Sequence, residues 1–479
     1  MQKTVKYYYI LFIILLISAF FCNFSMAKNM YAGKDKTMNL NELRLSHKLV
    51  DLFVKLAEIP SPSRKEGDLS GKILEIFKSH NIDAKYDDYR NIIAKIPASK
   101  GYENAPSLLL SAHMDVVGGS EPVNIRLSQD GRYIETDKTR TLGADNKAGV
   151  AAILDLAIDM SKTDSEIIHG PIEITFTRDE EMGMTGIQNL DTSKIHSKYA
   201  IIADGEYLGE HDSEGAGFIN LYIKVYQGKG GHSGINIDDP TRINAIKILS
   251  ELDTRIPQGV YKKDPKRGVI TSINAGVNTG GSANTSIAEI VKDVYQLAKD
   301  DKPIPEKYNS KDILNTINRE SALNIINTEA YQTYSIRSSE PENEQELIKY
   351  IEKQVDELNS KYSGLIKIEM EAKVHLKPFI KSEDKFLSNV IVKAGQKYNL
   401  NCQPGSFHAG AETHILANEK KNAKGEIFIP VIIGLANLEN IHSANEKIDW
   451  SSFLTGRKWL ENIVVNFAQE AGNNPAQCH

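Results

Sequence analysis

The sequence predicts an α/β protein: a mostly parallel mixed sheet with helices on both faces, carrying a smaller inserted α+β domain. Three observations predict it. First, apolar runs alternate with helical patterns: "NIIAKIPA", "SLLLSAHMD", "PIEITFT", "KYAIIAD" and "EIFIPVIIG". Strands buried on both faces read this way. Second, after about Glu210 the strands alternate strictly, as in "GFINLYIKVY" and "LIKIEMEAKV", like an open antiparallel sheet with one wet face. Third, the first texture returns after Lys377-Pro378, so the middle block interrupts one domain rather than following it.

The elements follow in order. Lys3 and Lys6 precede the apolar run "YYYILFIILLISAFF", with Ser25 and Ala27 at A-x-A-like spacing. Residues 1–27 therefore read as a signal peptide, which places the mature chain outside the cytoplasm, secreted or periplasmic. Left uncleaved, that segment is the expected contact with a membrane, although it is short for a span. Residues 28–42 are polar and read as a flexible segment. A helical pattern, "LRLSHKLVDLFVKLAEI", opens the first part of the larger domain (43–212) and stops at Pro60 and Pro62. The inserted domain spans 213–376, the second part of the larger domain 377–470, and a tail 471–479.

Composition excludes some functions. The chain has 479 residues, 41% hydrophobic and 25% charged, with a net charge of −6. That is ordinary globular material, and with no basic stripe it offers nothing to nucleic acid. Cys22, Cys402 and Cys478 are too few for a disulfide framework or a cysteine zinc site.

Acids and histidines collect just past the strands. His113 and Asp115 follow "SLLLSA", Glu180 and Glu181 follow "PIEITFTRD", Asp204 ends "YAIIA", and His442 comes soon after "IFIPVIIG". Asp145 precedes the helix "NKAGVAAIL" and on its own fits a helix cap as well as a ligand. In an open α/β sheet such residues meet beyond the carboxyl ends of the strands. Imidazole nitrogen with carboxylate oxygen suits zinc. There are ligands enough for two ions, about 3.5–4 Å apart, if one carboxylate bridges them.

The ordered set "SAHMDVV", "TLGADNKAGVAAI", "FTRDEEMGMTG", "IADGE", "GGHSG", "SIRSSE" and "IHSANE" resembles the zinc exopeptidase family of peptidase T, aminoacyl-histidine dipeptidase, carnosinase and N-acyl-amino-acid deacylases, over about residues 43 to 465. The resemblance implies two Zn2+ ions, with Co2+ or Mn2+ as substitutes. Asp145 would bridge them, with His113 and Asp204 on one ion and Glu181 and His442 on the other. Asp115 would hold the His113 imidazole from behind. Glu180 would be the general base for a bridging hydroxide, and a cis bond would join Asp145 to Asn146. His232 would stabilise the oxyanion, often from the partner of a homodimer formed through the inserted lid domain. Arg337 would hold a substrate carboxylate, and Asn284 would be a lid contact. His408 and Glu412, in "FHAGAETH", either touch substrate or support their turn, and His414 reads as structural. A long polar insertion at about 291–330 departs from the family pattern. The implied substrate is a short peptide, di- or tripeptide. An N-acyl-amino-acid deacylase is the alternative, and a non-catalytic binding protein a third reading that an intact Glu180 argues against.

Overall fold

The computed structural model describes residues 39–281, 286–300, 302–309 and 323–473. The expected signal peptide and Asn284 lie outside them. An eight-stranded sheet forms the centre, in the spatial order Asp83–Tyr86, Ile92–Ile96, Ile172–Thr177, Leu108–His113, Tyr199–Gly205, Ile429–Gly434, His211–Gly215 and Gly405–Phe407. Its four middle strands, Ile172–Thr177 to Ile429–Gly434, are mutually parallel. The side-chain alternation of a strand sends Leu108, Leu110, Ala112, Tyr199 and Ile201 into one core, shared with helices Lys48–Glu58, Ala144–Met160 and Trp450–Asn473. Leu109, Ala200 and Ile202 face the other side, against Ile187, Ile415 and Leu416. Burial on both faces is why these strands read as unbroken apolar runs.

A five-stranded antiparallel sheet follows the order Gly259–Asp264, Val269–Gly281, Glu329–Ser338, Gly217–Tyr226 and Lys367–Leu376. Ile219, Leu221, Ile223 and Val225 alternate onto a separate core with helices Ala245–Asp253 and Pro341–Lys361. The expected insertion begins inside a helix, Ser286–Lys299, whose Tyr295 ring lies 5.7 Å from that of Tyr222 and 4.7 Å from that of Tyr331.

A third sheet, of four short strands, went unread in the sequence. Leu438–Glu439 pairs with Lys447–Asp449, which pairs with Tyr133–Thr136, itself paired with Ile125–Leu127. It ties the loop carrying His442 to the segment leading into Asp145. Two boundaries also differ from expectation. The first helix starts at Leu40, inside the segment expected to be flexible, because Asn39 and Glu42 form a reciprocal cap. The continuous helix expected from Leu43 breaks at His47, whose backbone is extended.

Candidate metal centre and active-site cavity

The carboxyl ends of the parallel strands converge on a cavity of about 280 Å3 lined by His113, Asp145, Glu180, Glu181, Asp204 and His442. A larger cavity, about 780 Å3, opens at the other end of these strands, near Pro106, Pro171 and Tyr199, and contains none of these residues. His113 is the last residue of its strand and Asp204 lies near the end of its own. Glu180 and Glu181 open a turn, closed by the Gly183 N–H on the Glu180 carbonyl. Asp145 enters helix Ala144–Met160 through Gly143, whose φ of +72° favours glycine, and the Asp145–Asn146 peptide is cis. Further along, a Cβ on Gly149 would collide with the Ala203 carbonyl, so glycine lets the helix lie against the strand that delivers Asp204.

The two carboxylate oxygens of Asp145 face different histidines. Oδ1 lies 3.2 Å from His113 Nε2, which is also 3.3 Å from Asp204 Oδ1. Oδ2 lies 3.0 Å from His442 Nε2, which is also 3.0 Å from Glu181 Oε1. His113 Nδ1 donates to the Asp115 carbonyl at 2.9 Å, so Nε2 is the ring atom turned toward two carboxylates. Such an arrangement needs a cation between the donors. Ligands about 2.0–2.2 Å from a tetrahedral ion sit roughly 3.3–3.6 Å apart, and separations of 3.0 to 3.3 Å come close to that. Glu181 Oε1 is buried and receives no hydrogen bond despite its proximity to His442. Donor atoms of His113, Asp145 and Glu181 all lie within 4.8 Å of one another. The donor set therefore fits a divalent metal.

The electrostatics show the same shortage of positive charge. The Asp145 and Glu181 carboxylates beside it push His442 up to about 10. Burial alone would lower His113, but Asp204 and the hydrogen bonds to Asp115, Asp145 and Asp204 hold it well above the usual imidazole range. Burial raises Asp204 to about 6, with Asp145 and Glu181 adding to it against His113. Burial also raises Glu180, helped by the charges of Asp204, Glu181 and Glu412. Among the described residues no lysine or arginine lines this cavity.

Behind the ligands, Asp115 does more than orient His113. Its carbonyl takes the imidazole hydrogen bond, while its carboxylate accepts the Glu180 and Glu181 N–H groups at 2.9 and 3.1 Å and the Ser63 hydroxyl at 2.7 Å. Glu446, which sequence reading passed over, is its counterpart. It is buried, and its carboxylate accepts the Gly143 N–H at 2.6 Å, the Asp145 N–H at 3.0 Å and the Thr141 hydroxyl. Its place four residues after His442 was the available signal. Arg140 and Lys147, also buried, bind the Ala57 and Ile59 carbonyls at 2.9 and 2.6 Å, fastening the same turn to the end of helix Lys48–Glu58.

The remaining expected residues are more scattered. Arg337 is half-buried, with its guanidinium 4.4 Å from the Phe218 ring centre. His408 Nε2 bonds Ser272 Oγ at 2.8 Å, and burial with the nearby Arg337 charge holds its pKa down. Its neighbours Phe407 and Ala409 line the cavity. Glu412 is buried, neither oxygen has a hydrogen-bond partner among the described residues, and burial raises it to about 7. His414 is buried and bonds the Ala216 carbonyl at 3.0 Å. His232 does not line the cavity: it is exposed, and Nδ1 accepts the Gly234 and Ile235 N–H groups of its own loop.

Comparison with known proteins places this arrangement. The profile of Peptidase family M20/M25/M40 matches residues 109–466. Uncharacterized protein YqjE of Bacillus subtilis is 30% identical over 54% of this chain and 67% of its own length. The cytosol non-specific dipeptidase of Escherichia coli is 31% identical over 43% of this chain and 48% of its own length. The chain thus spans between about half and two thirds of these curated relatives. Among solved structures, a tripeptidase from Staphylococcus aureus shares the fold at a TM-score of 0.69, with 22% identity over 88% of this chain and 98% of that one. The extracytoplasmic location expected from the N-terminus is corrected by these relatives, one of which is by its name a cytosolic enzyme. A short apolar run behind two lysines is a composition signal only, and no helix among the described residues is long and apolar enough to cross a membrane. With the family profile running from the His113 strand to beyond His442, the chain belongs to peptidase family M20/M25/M40, a family of metal-dependent peptidases.

Proposed function

We propose that the chain is a dinuclear metallo-exopeptidase that hydrolyses di- or tripeptides. The observation that carries this reading is the division of Asp145, one oxygen toward His113 and Asp204 and the other toward His442 and Glu181. These five side chains would hold two divalent ions, and the nitrogen–oxygen donor set suits zinc, with cobalt or manganese as substitutes. Bound there, the metal supplies Lewis acidity and a water acidic enough to react near neutral pH.

The chain's own groups do the rest. Glu180, held by the Asp115 carboxylate through its backbone and lining the cavity, takes the proton of the attacking water and returns it to the leaving amine. Arg337 receives a substrate carboxylate with its guanidinium fork, beside His408. His232 serves the oxyanion of a second copy docked through the lid. Because its Nδ1 is occupied by two N–H donors, its Nε2–H is the outward donor. Asn284 would complete the lid contacts.

A panel of dipeptides, tripeptides and N-acetyl amino acids, assayed with zinc-loaded enzyme and with Glu180→Gln, tests this. Turnover of free peptides that Glu180→Gln abolishes supports the reading. Turnover of acetyl amino acids alone would make the enzyme a deacylase instead.

A further inference from the structure

One carboxylate in the cavity has no task in that mechanism. Glu206 follows Asp204 by two residues and lines the cavity with Asp145 and His442. Its backbone is held on both sides: the N–H donates to Glu210 at 2.7 Å, and the carbonyl accepts the Leu438 N–H at 2.8 Å. Tyr207 and Leu208 are fixed in the same turn by Glu210 and Asn437, at 3.1 and 2.9 Å. Yet among the described residues the Glu206 carboxylate makes no hydrogen bond or ion pair. A half-buried charge without a partner is costly, and a rigid backbone beneath it presents that charge at a set place. Two divalent ions would offset Asp145, Glu180, Glu181 and Asp204, leaving Glu206 uncompensated among the carboxylates that line the cavity. Leu435, Leu438 and Ile441 line the same wall.

We propose that Glu206 binds the free α-ammonium of the substrate, beside an apolar subsite for its first side chain. The inference rests on the peptidase reading above. It makes the enzyme an aminopeptidase and sets it against N-acyl substrates, whose amide nitrogen has no charge to offer.

The test compares leucylglycine with 4-methylpentanoylglycine, which differs only in lacking the ammonium. Each is measured as kcat/KM, or as Ki where it is not turned over, with metal content recorded alongside. Glu206→Gln should weaken leucylglycine by about 10-fold or more, mainly through KM, as loss of a charge-assisted hydrogen bond does. The analogue should change by less than about twofold and metal content should stay at the wild-type level; Glu206→Ala should discriminate in the same sense. Equal effects on both compounds, or none on either, would overturn the inference while leaving the peptidase reading intact. Wild-type enzyme that ignores free peptides but cleaves N-acetyl-leucine would overturn both.

Discussion

The carboxyl edge of the main sheet and the inserted five-stranded sheet present their functional side chains differently. At the edge, side chains are held from behind. Asp115 holds His113, Glu180 and Glu181, while Glu446 holds the turn that delivers Asp145. On the inserted sheet, Arg337 rests on Phe218, and His232 stands exposed with one ring nitrogen turned back into its own loop. The edge is organised within one chain, as the proposed function, with ions at fixed separations, requires. The inserted sheet displays groups for something that arrives, which on the proposed function is a substrate or a second copy.

Substitutions can break this contrast. The largest effect is expected at Glu180→Gln, which should lower kcat by between about 100- and 10,000-fold with metal content unchanged, read by steady-state kinetics and elemental analysis. Glu446→Gln removes a buried charge that no substrate touches, so it should lower metal affinity by about 10- to 100-fold in a chelator competition. A variant with wild-type affinity would show that the Asp145 turn stands without it. On the inserted sheet, Arg337→Ala should raise KM by about 10- to 100-fold and leave metal affinity alone, since it removes a contact made equally in the ground and transition states. If Arg337→Ala lost metal, the two regions would not be independent.

The same contrast governs what the sequence could disclose. The edge was legible because His113, Glu181, Asp204 and His442 close or follow apolar runs and Asp145 opens an apolar helix, local patterns that periodicity detects. The inserted sheet was legible through its strict alternation. Glu446 was not, because its partners Gly143 and Asp145 lie some three hundred residues away in the chain, at separations of 303 and 301. The four-stranded sheet was missed because its strands of two to four residues are too short to show a period. The tight turn that brings both Glu180 and Glu181 to the cavity leaves no period in the sequence either. Glu206 carries no signal of its own in the sequence, and only its place on the cavity wall sets it apart.

The central claim is that Asp145 is shared between two ions. Metal stoichiometry measured on wild-type enzyme, His113→Ala, His442→Ala and Asp145→Ala tests it most directly, with circular dichroism to verify folding. The account predicts about two ions per wild-type chain, about one in each histidine variant, and loss of both from folded Asp145→Ala. One full ion retained by Asp145→Ala, or a single ion in the wild type, would contradict it.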